Sequence, residues 1–148
     1  MYIVAFDPGL TTGIATVNTD LMGEIGAHEM QWEGLCRFLD TIQAHSDMPD
    51  VIVYERFTIT EGTAKLSPQT GPMDVIGALK YVANRNLTEI VAQTPYDAKT
   101  FGTDARLKEY GWYTKGKGHA VDATRHLFLY CVKQQYVQFN SEGCLICP

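Results

Sequence analysis

A chain of 148 residues, 45% apolar and 20% charged, is the size of one domain with one sizeable core. That composition excludes a disordered chain, and no apolar run approaches the ~20 residues that span a bilayer. The net charge of −5 argues against a uniformly basic nucleic-acid binder, yet residues 99–125 carry six basic and three acidic side chains, so one segment is locally positive.

Residues 2–6 (YIVAF) are a continuous apolar run that stops at the turn signal Asp7-Pro8-Gly9. Without a basic leader, this start reads as a strand rather than a signal peptide, and the expected location is cytoplasmic. Residues 13–17 (GIATV) make a second strand, so the two form a hairpin with a longer loop. Residues 24–31 could supply a third strand, a reading that Gly23 and Gly26 weaken. From Trp32 to about Ala44, Leu35, Cys36, Leu39 and Ile42 recur at helical spacing. Val51–Tyr54 is a short strand buried on both faces, and it ends at Glu55. Residues 58–71 are rich in Thr, Gly, Ser and Pro and read as a mobile loop. A helix follows from about Met73 to Asn84, and a strand at Ile90–Gln93 is stopped by Thr94-Pro95. Residues 103–110 form a short helix with Thr103 as N-cap, closed by Gly111. The basic, glycine-rich stretch 113–118 then leads into an amphipathic helix from His119 to about Tyr136. Three strands followed by alternating helices and strands indicate an α/β fold, a mixed sheet of about five strands flanked by helices. The domain is expected to span 1–140, with 141–148 as a C-terminal tail.

Cys36 and Cys131 fall on helices and read as small core residues. Cys144 and Cys147 form one Cys-x-x-Cys pair, whereas a structural zinc site normally needs four ligands. Reduced thiols are the plain reading; a tail disulfide or an intermolecular metal site is the alternative.

Two strands end in a carboxylate, at Asp7 and Glu55. Side by side, such strands put both acids at one sheet edge, where their repulsion raises a pKa or recruits a cation. A hard divalent ion suits oxygen ligands. The third element is Gly118-His119-Ala120-Val121-Asp122 at the head of the last helix. His119 and Asp122, three apart, share a helical face. Three carboxylates and an imidazole around one or two ions fit phosphodiester hydrolysis. His119 is either a metal ligand or a proton carrier.

At these residues the chain resembles the RuvC family of Holliday-junction resolvases, within the RNase H-like superfamily. The matching segments are IVAFDPGLTTGIA, VIVYERF and GHAVDATRH. The resemblance implies an RNase H-like fold, with Asp7, Glu55, His119 and Asp122 as catalytic metal ligands. It also implies Mg²⁺ or Mn²⁺, two ions per site, and a homodimer that makes paired nicks in four-way DNA junctions. The short length and the stretch GWYTKGKGHAVDA look most like the phage-encoded branch, which would act in the host cytoplasm. The negative net charge and the turn-rich region after Glu55 depart from the bacterial pattern, so other branched DNA is an alternative substrate.

Phe57 stands where the family places an aromatic to stack on a junction base; a buried loop anchor is the competing reading. Arg56 beside it could meet a phosphate. Lys115 and Lys117 read as phosphate contacts from a flexible loop, and Lys108 and Arg125 as weaker DNA-binding candidates. His126 could support the site, though the sequence reads more readily as a satisfied surface histidine. The competing classes are an actin-like ATPase, suggested by Asp-x-Gly-x-Thr but needing a second domain, an RNA-directed or structure-selective nuclease, and a non-catalytic branched-DNA-binding module.

Overall fold

The computed structural model describes residues 1–21, 25–45, 47–59, 70–136, 138–139 and 145–146. The central sheet contains β1 (Tyr2–Asp7), β2 (Thr11–Asn18), β3 (Ile25–Gln31), β4 (Val51–Glu55) and β5 (Glu89–Gln93). Its spatial order is β3-β2-β1-β4-β5. The first three strands form an antiparallel meander, and β4 and β5 add in parallel with β1. The sheet is therefore mixed, as the strand pattern predicts.

Period-two alternation divides the core into two layers. Val4, Phe6, Ile14, Ile52 and Tyr54 face α1 (Trp32–Ala44) and α2 (Gly71–Asn86), meeting Leu35, Leu39, Val75 and Leu79. Ile3, Ala5, Ala15, Val51 and Val53 point the other way, onto α5 (Gly118–Lys133), where Val121, Leu127 and Phe128 cover them. A strand packed on both faces is an uninterrupted apolar run, and that is how β1 and β4 read. The short helices α3 (Pro95–Phe101) and α4 (Asp104–Glu109) lie on the α5 side: Phe101 packs against Phe128, and Leu107 is fully buried.

Several sequence expectations need revision. Thr94-Pro95 does more than stop β5; it starts α3. The Thr94 side chain accepts from the Asp97 amide at 3.1 Å, and Pro95 occupies the first turn, where its missing N–H costs nothing. Thr103 caps α4 as expected, accepting from Arg106 N at 3.3 Å. Helix α2 opens two residues before Met73, and α5 ends at Lys133 rather than near Tyr136. In the stretch read as a tail, Leu145–Ile146 (β7) pairs with Gln138–Phe139 (β6). Residues 60–69 of the expected mobile loop, and Cys144 and Cys147, lie outside the described residues. Cys131 is buried and Cys36 half-buried on the helices expected for them. Among the described residues, no helix is long and apolar enough to cross a membrane.

Candidate metal centre and nucleic-acid face

The alternation that buries Ile3 and Ala5 against α5 carries forward to Asp7. The same parity carries Val51 and Val53 forward to Glu55. Asp7 pairs with Gly13, Gly13 with Glu29, and Glu55 with Gln93. Phe6 pairs with Tyr54, so continuing that register sets Asp7 beside Glu55. One rung across the sheet therefore reads Glu29, Gly13, Asp7, Glu55, Gln93, with a single residue from each strand. Adjacent strands lie about 4.8 Å apart, which keeps the two acids close.

Over this rung lies the first half of α5. A Cβ on Gly13 would stand 1.9 Å from the His119 carbonyl oxygen and 2.9 Å from the Ala120 nitrogen. The helix thus rests directly on β2, and only a residue without a side chain allows that approach. Lys117, at the N-cap, makes no side-chain cap, and the first turn of α5 holds no acid. Glu29 supplies both from β3. Its Oε1 accepts from the amides of His119 at 2.9 Å and Ala120 at 3.3 Å, placing negative charge at the positive end of the helix.

The stripe His119, Asp122, His126 then follows the strand ends. His119 Nδ1 lies 2.9 Å from Asp7 Oδ2. His126 Nε2 lies 3.0 Å from Glu55 Oε2, and its Nδ1 lies 3.0 Å from Gln93 Oε1. Asp122 turns the other way: Oδ1 accepts from Arg125 Nε at 2.9 Å, and Oδ2 lies 3.2 Å from Lys99 Nζ. Burial pushes the Asp7 carboxyl above its ordinary range; the hydrogen bond from His119 opposes this, while the charges of Glu55 and Asp122 add to it. Asp7 therefore feels both other acids.

Whether these residues suit a divalent cation is a question of donor chemistry. Three carboxylates and one imidazole are hard or borderline donors, and the central one is desolvated and repelled by the others. A cation relieves that conflict, so the donor set fits. Among the described residues, no three His, Cys, Asp or Glu side chains already form a cage. The Asp122 carboxylate is held by ion pairs with Lys99 and Arg125.

A cleft of about 490 Å³ opens beside His119 and Asp122, walled by Tyr113, Thr114, Lys117 and Arg125. Lys115, between the lining residues Thr114 and Gly116, is exposed, whereas Lys117 is half-buried with Nζ 3.4 Å from the Ala27 carbonyl. Lys108 sits over the Tyr113 ring at 4.5 Å. Arg125, expected as a DNA contact, is directed inward: besides Asp122 it bonds the Gly102 carbonyl at 2.7 Å and pairs with Asp104. Arg56 is exposed. Phe57 is half-buried in a separate apolar groove with Ile59, Met73, Ile76 and Lys80.

Four participants were missed or underweighted in the sequence reading. His126 is a buried residue at 1% exposure, not a surface histidine. The signal was its spacing, four residues beyond Asp122 and seven beyond His119. Gln93, a buried polar residue ending the edge strand β5, stands at a strand end as Asp7 and Glu55 do. Lys99 and Glu29 gave no local signal, because each reaches the centre only through tertiary packing.

No family model matches the chain, and no curated protein matches it by sequence. Solved structures match its fold. Thermus thermophilus RuvC in complex with a Holliday-junction substrate is 16% identical, with a TM-score of 0.65 over 91% of this chain and 95% of that one. The fowlpox virus Holliday junction resolvase is 16% identical, with a TM-score of 0.58 over 90% of this chain and 99% of that one. The yeast mitochondrial Holliday junction resolvase is 14% identical, with a TM-score of 0.52 over 90% of this chain and 80% of that one. The chain thus has the RNase H-like α/β fold in its RuvC-type form, and the resemblance read from three short segments is matched by its structural neighbours.

Proposed function

We propose that this chain is a divalent-metal-dependent nuclease that cuts branched DNA, resolving four-way junctions as a homodimer by paired nicks. The observation that carries the reading is the single rung of the sheet, which puts Asp7 beside Glu55 under the helix turn bearing His119 and Asp122. The shared fold with resolvases supports the choice of substrate class.

In this reading Asp7, Glu55, Asp122 and His119 would hold Mg²⁺ or Mn²⁺, two ions per site. When bound, the ions supply an activated water and stabilise the leaving oxygen of a phosphodiester. For Asp122 to serve as a ligand it would have to leave its pairs with Lys99 and Arg125, whose charges would then be free to face the phosphate. His119 either completes the ligand set or holds a proton at Nδ1 beside Asp7. Lys115 and Lys117 track the backbone along the cleft, and Lys108 and Arg56 extend that face. Phe57 and its apolar groove provide a place for an unstacked base.

The test is cleavage of a four-way junction, a fork, a flap, duplex DNA and RNA at one salt concentration with Mg²⁺ or Mn²⁺. The wild type nicks the junction, and Asp7→Asn binds it without cutting. Equal cutting by both proteins refutes the assignment. A preference for RNA hybrid over junction moves the chain to the RNA-directed class.

A further inference from the structure

His126 stands out as a buried imidazole with a partner on each nitrogen, both partners being strand-end residues. Its ring is 1% exposed, on the α5 stripe that also carries His119 and Asp122. Its two partners, Glu55 and Gln93, are paired in the β4–β5 register. The ring therefore bridges adjacent strands of the sheet at the point where Glu55 leaves it.

The donor pattern follows from the chemistry of the groups. A carboxylate only accepts, so the N–H facing Glu55 Oε2 at 3.0 Å is that of Nε2. Gln93 Oε1 lies 3.0 Å from the other nitrogen, Nδ1; because the two ends of an amide exchange by a half-turn, Gln93 can turn its NH2 to donate to Nδ1 of a neutral ring. Glu55 thus fixes which ring nitrogen carries the proton toward it, and Gln93, able to present either end of its amide, holds the opposite nitrogen and so the plane of the ring. With Oε2 held, the side chain loses its freedom to turn, and Oε1 is the oxygen left for a cation.

We propose that His126, oriented by Gln93, is a positioning residue that presents Glu55 to the metal. This rests on the metal-centre reading above. It differs from space-filling in one respect: a histidine that only packed between helix and sheet could become leucine without changing what Glu55 binds. Partners of ligating groups of this kind typically alter metal affinity about 10–100-fold when removed.

The experiment titrates Mn²⁺ into the full chain without DNA. Binding is followed by calorimetry and by loss of the free-ion electron paramagnetic resonance signal, and thermal unfolding verifies each variant. His126→Leu should bind Mn²⁺ about 10–100-fold more weakly. His126→Gln, which keeps an amide donor near the Nε2 position, should recover part of the loss. In a Glu55→Gln background, His126→Leu should cause no further loss, because it acts through Glu55. Should both ring variants unfold, Gln93→Met, which removes only the ring's other partner, decides the matter by the same affinity loss. Wild-type affinity in the folded His126 or Gln93 variants, with Asp7→Asn and Glu55→Gln impaired, overturns the positioning role alone. Wild-type affinity in Asp7→Asn and Glu55→Gln overturns the metal centre and the positioning role with it.

Discussion

Gly13→Ala is a one-carbon perturbation aimed at the seat of α5. The added Cβ would lie 1.9 Å from the His119 oxygen, 2.2 Å from its carbonyl carbon and 2.9 Å from Ala120 N. All three are backbone atoms, so no rotamer change relieves the contact. Restoring van der Waals spacing requires helix and strand to separate by roughly 1 Å or more. Overpacking of this kind costs about 1–3 kcal/mol. The same separation stretches the Glu29–His119 hydrogen bond, now 2.9 Å, beyond useful length and forfeits a cap worth about 1 kcal/mol. Together this is a loss of about 2–4 kcal/mol, which in a domain of this size lowers Tm by roughly 4–16 °C. Because α5 carries His119 and Asp122, cleavage should fall further than stability; a displacement of about 1 Å can cost about a hundredfold in rate. The assay is thermal unfolding with parallel junction-cleavage kinetics, with Gly77→Ala as the control for stability alone, since Gly77 lines the Phe57 groove. A Cβ on Gly77 would meet no other atom within 4 Å, and alanine should be neutral or mildly stabilising in that helix. A Gly13→Ala protein that melts and cuts like wild type would refute the claim that α5 sits directly on β2.

Other consequences concern the same rung. Asp7 has a carboxyl pKa raised in the fold, so the folded state binds its proton more readily than the unfolded chain does. Its ionised form therefore opposes folding at neutral pH, and this penalty fades as pH falls through the folded-state pKa. Asp7→Asn should accordingly melt higher than wild type at pH 7 in chelator, with the gap closing in acid; a lower melting point at pH 7 contradicts this. Glu29→Ala removes a cap and should cost about 0.5–2 kcal/mol in urea unfolding, while Glu29→Gln should lose only the charge–dipole part, about 0.3–1 kcal/mol. Mn²⁺ at a hundredfold excess over Kd should stabilise the wild type by about 2.7 kcal/mol, reversibly with chelator, and should fail to stabilise Asp7→Asn. Lys115→Ala should weaken junction binding and lower the slope of log affinity against log salt by about one unit; an unchanged slope removes Lys115 from the phosphate face.

The sheet was legible in the sequence because its information is local. The apolar runs at β1 and β4 and the turn at Asp7-Pro8-Gly9 are written in consecutive residues. So is the helical spacing from Trp32, which marks α1 at its observed ends. The carboxylate ends of β1 and β4 and the His-x-x-Asp start of α5 were readable for the same reason. Thr94-Pro95 was legible but ambiguous, since the residues that stop a strand also cap and start a helix. Where the strands lie relative to one another was not local. Pairing register and alternation decide that Glu29, Gly13, Asp7, Glu55 and Gln93 share one rung facing α5. Glu29 is 90 residues from the amide it caps, and His126 is 71 residues from the carboxylate it holds. No pattern along the chain measures such separations. Local chemistry thus named Asp7, Glu55, His119 and Asp122 as candidates. Only packing could bury His126, turn Arg125 inward and make Gly13 the seat of the helix, because these follow from close approach between segments distant in sequence.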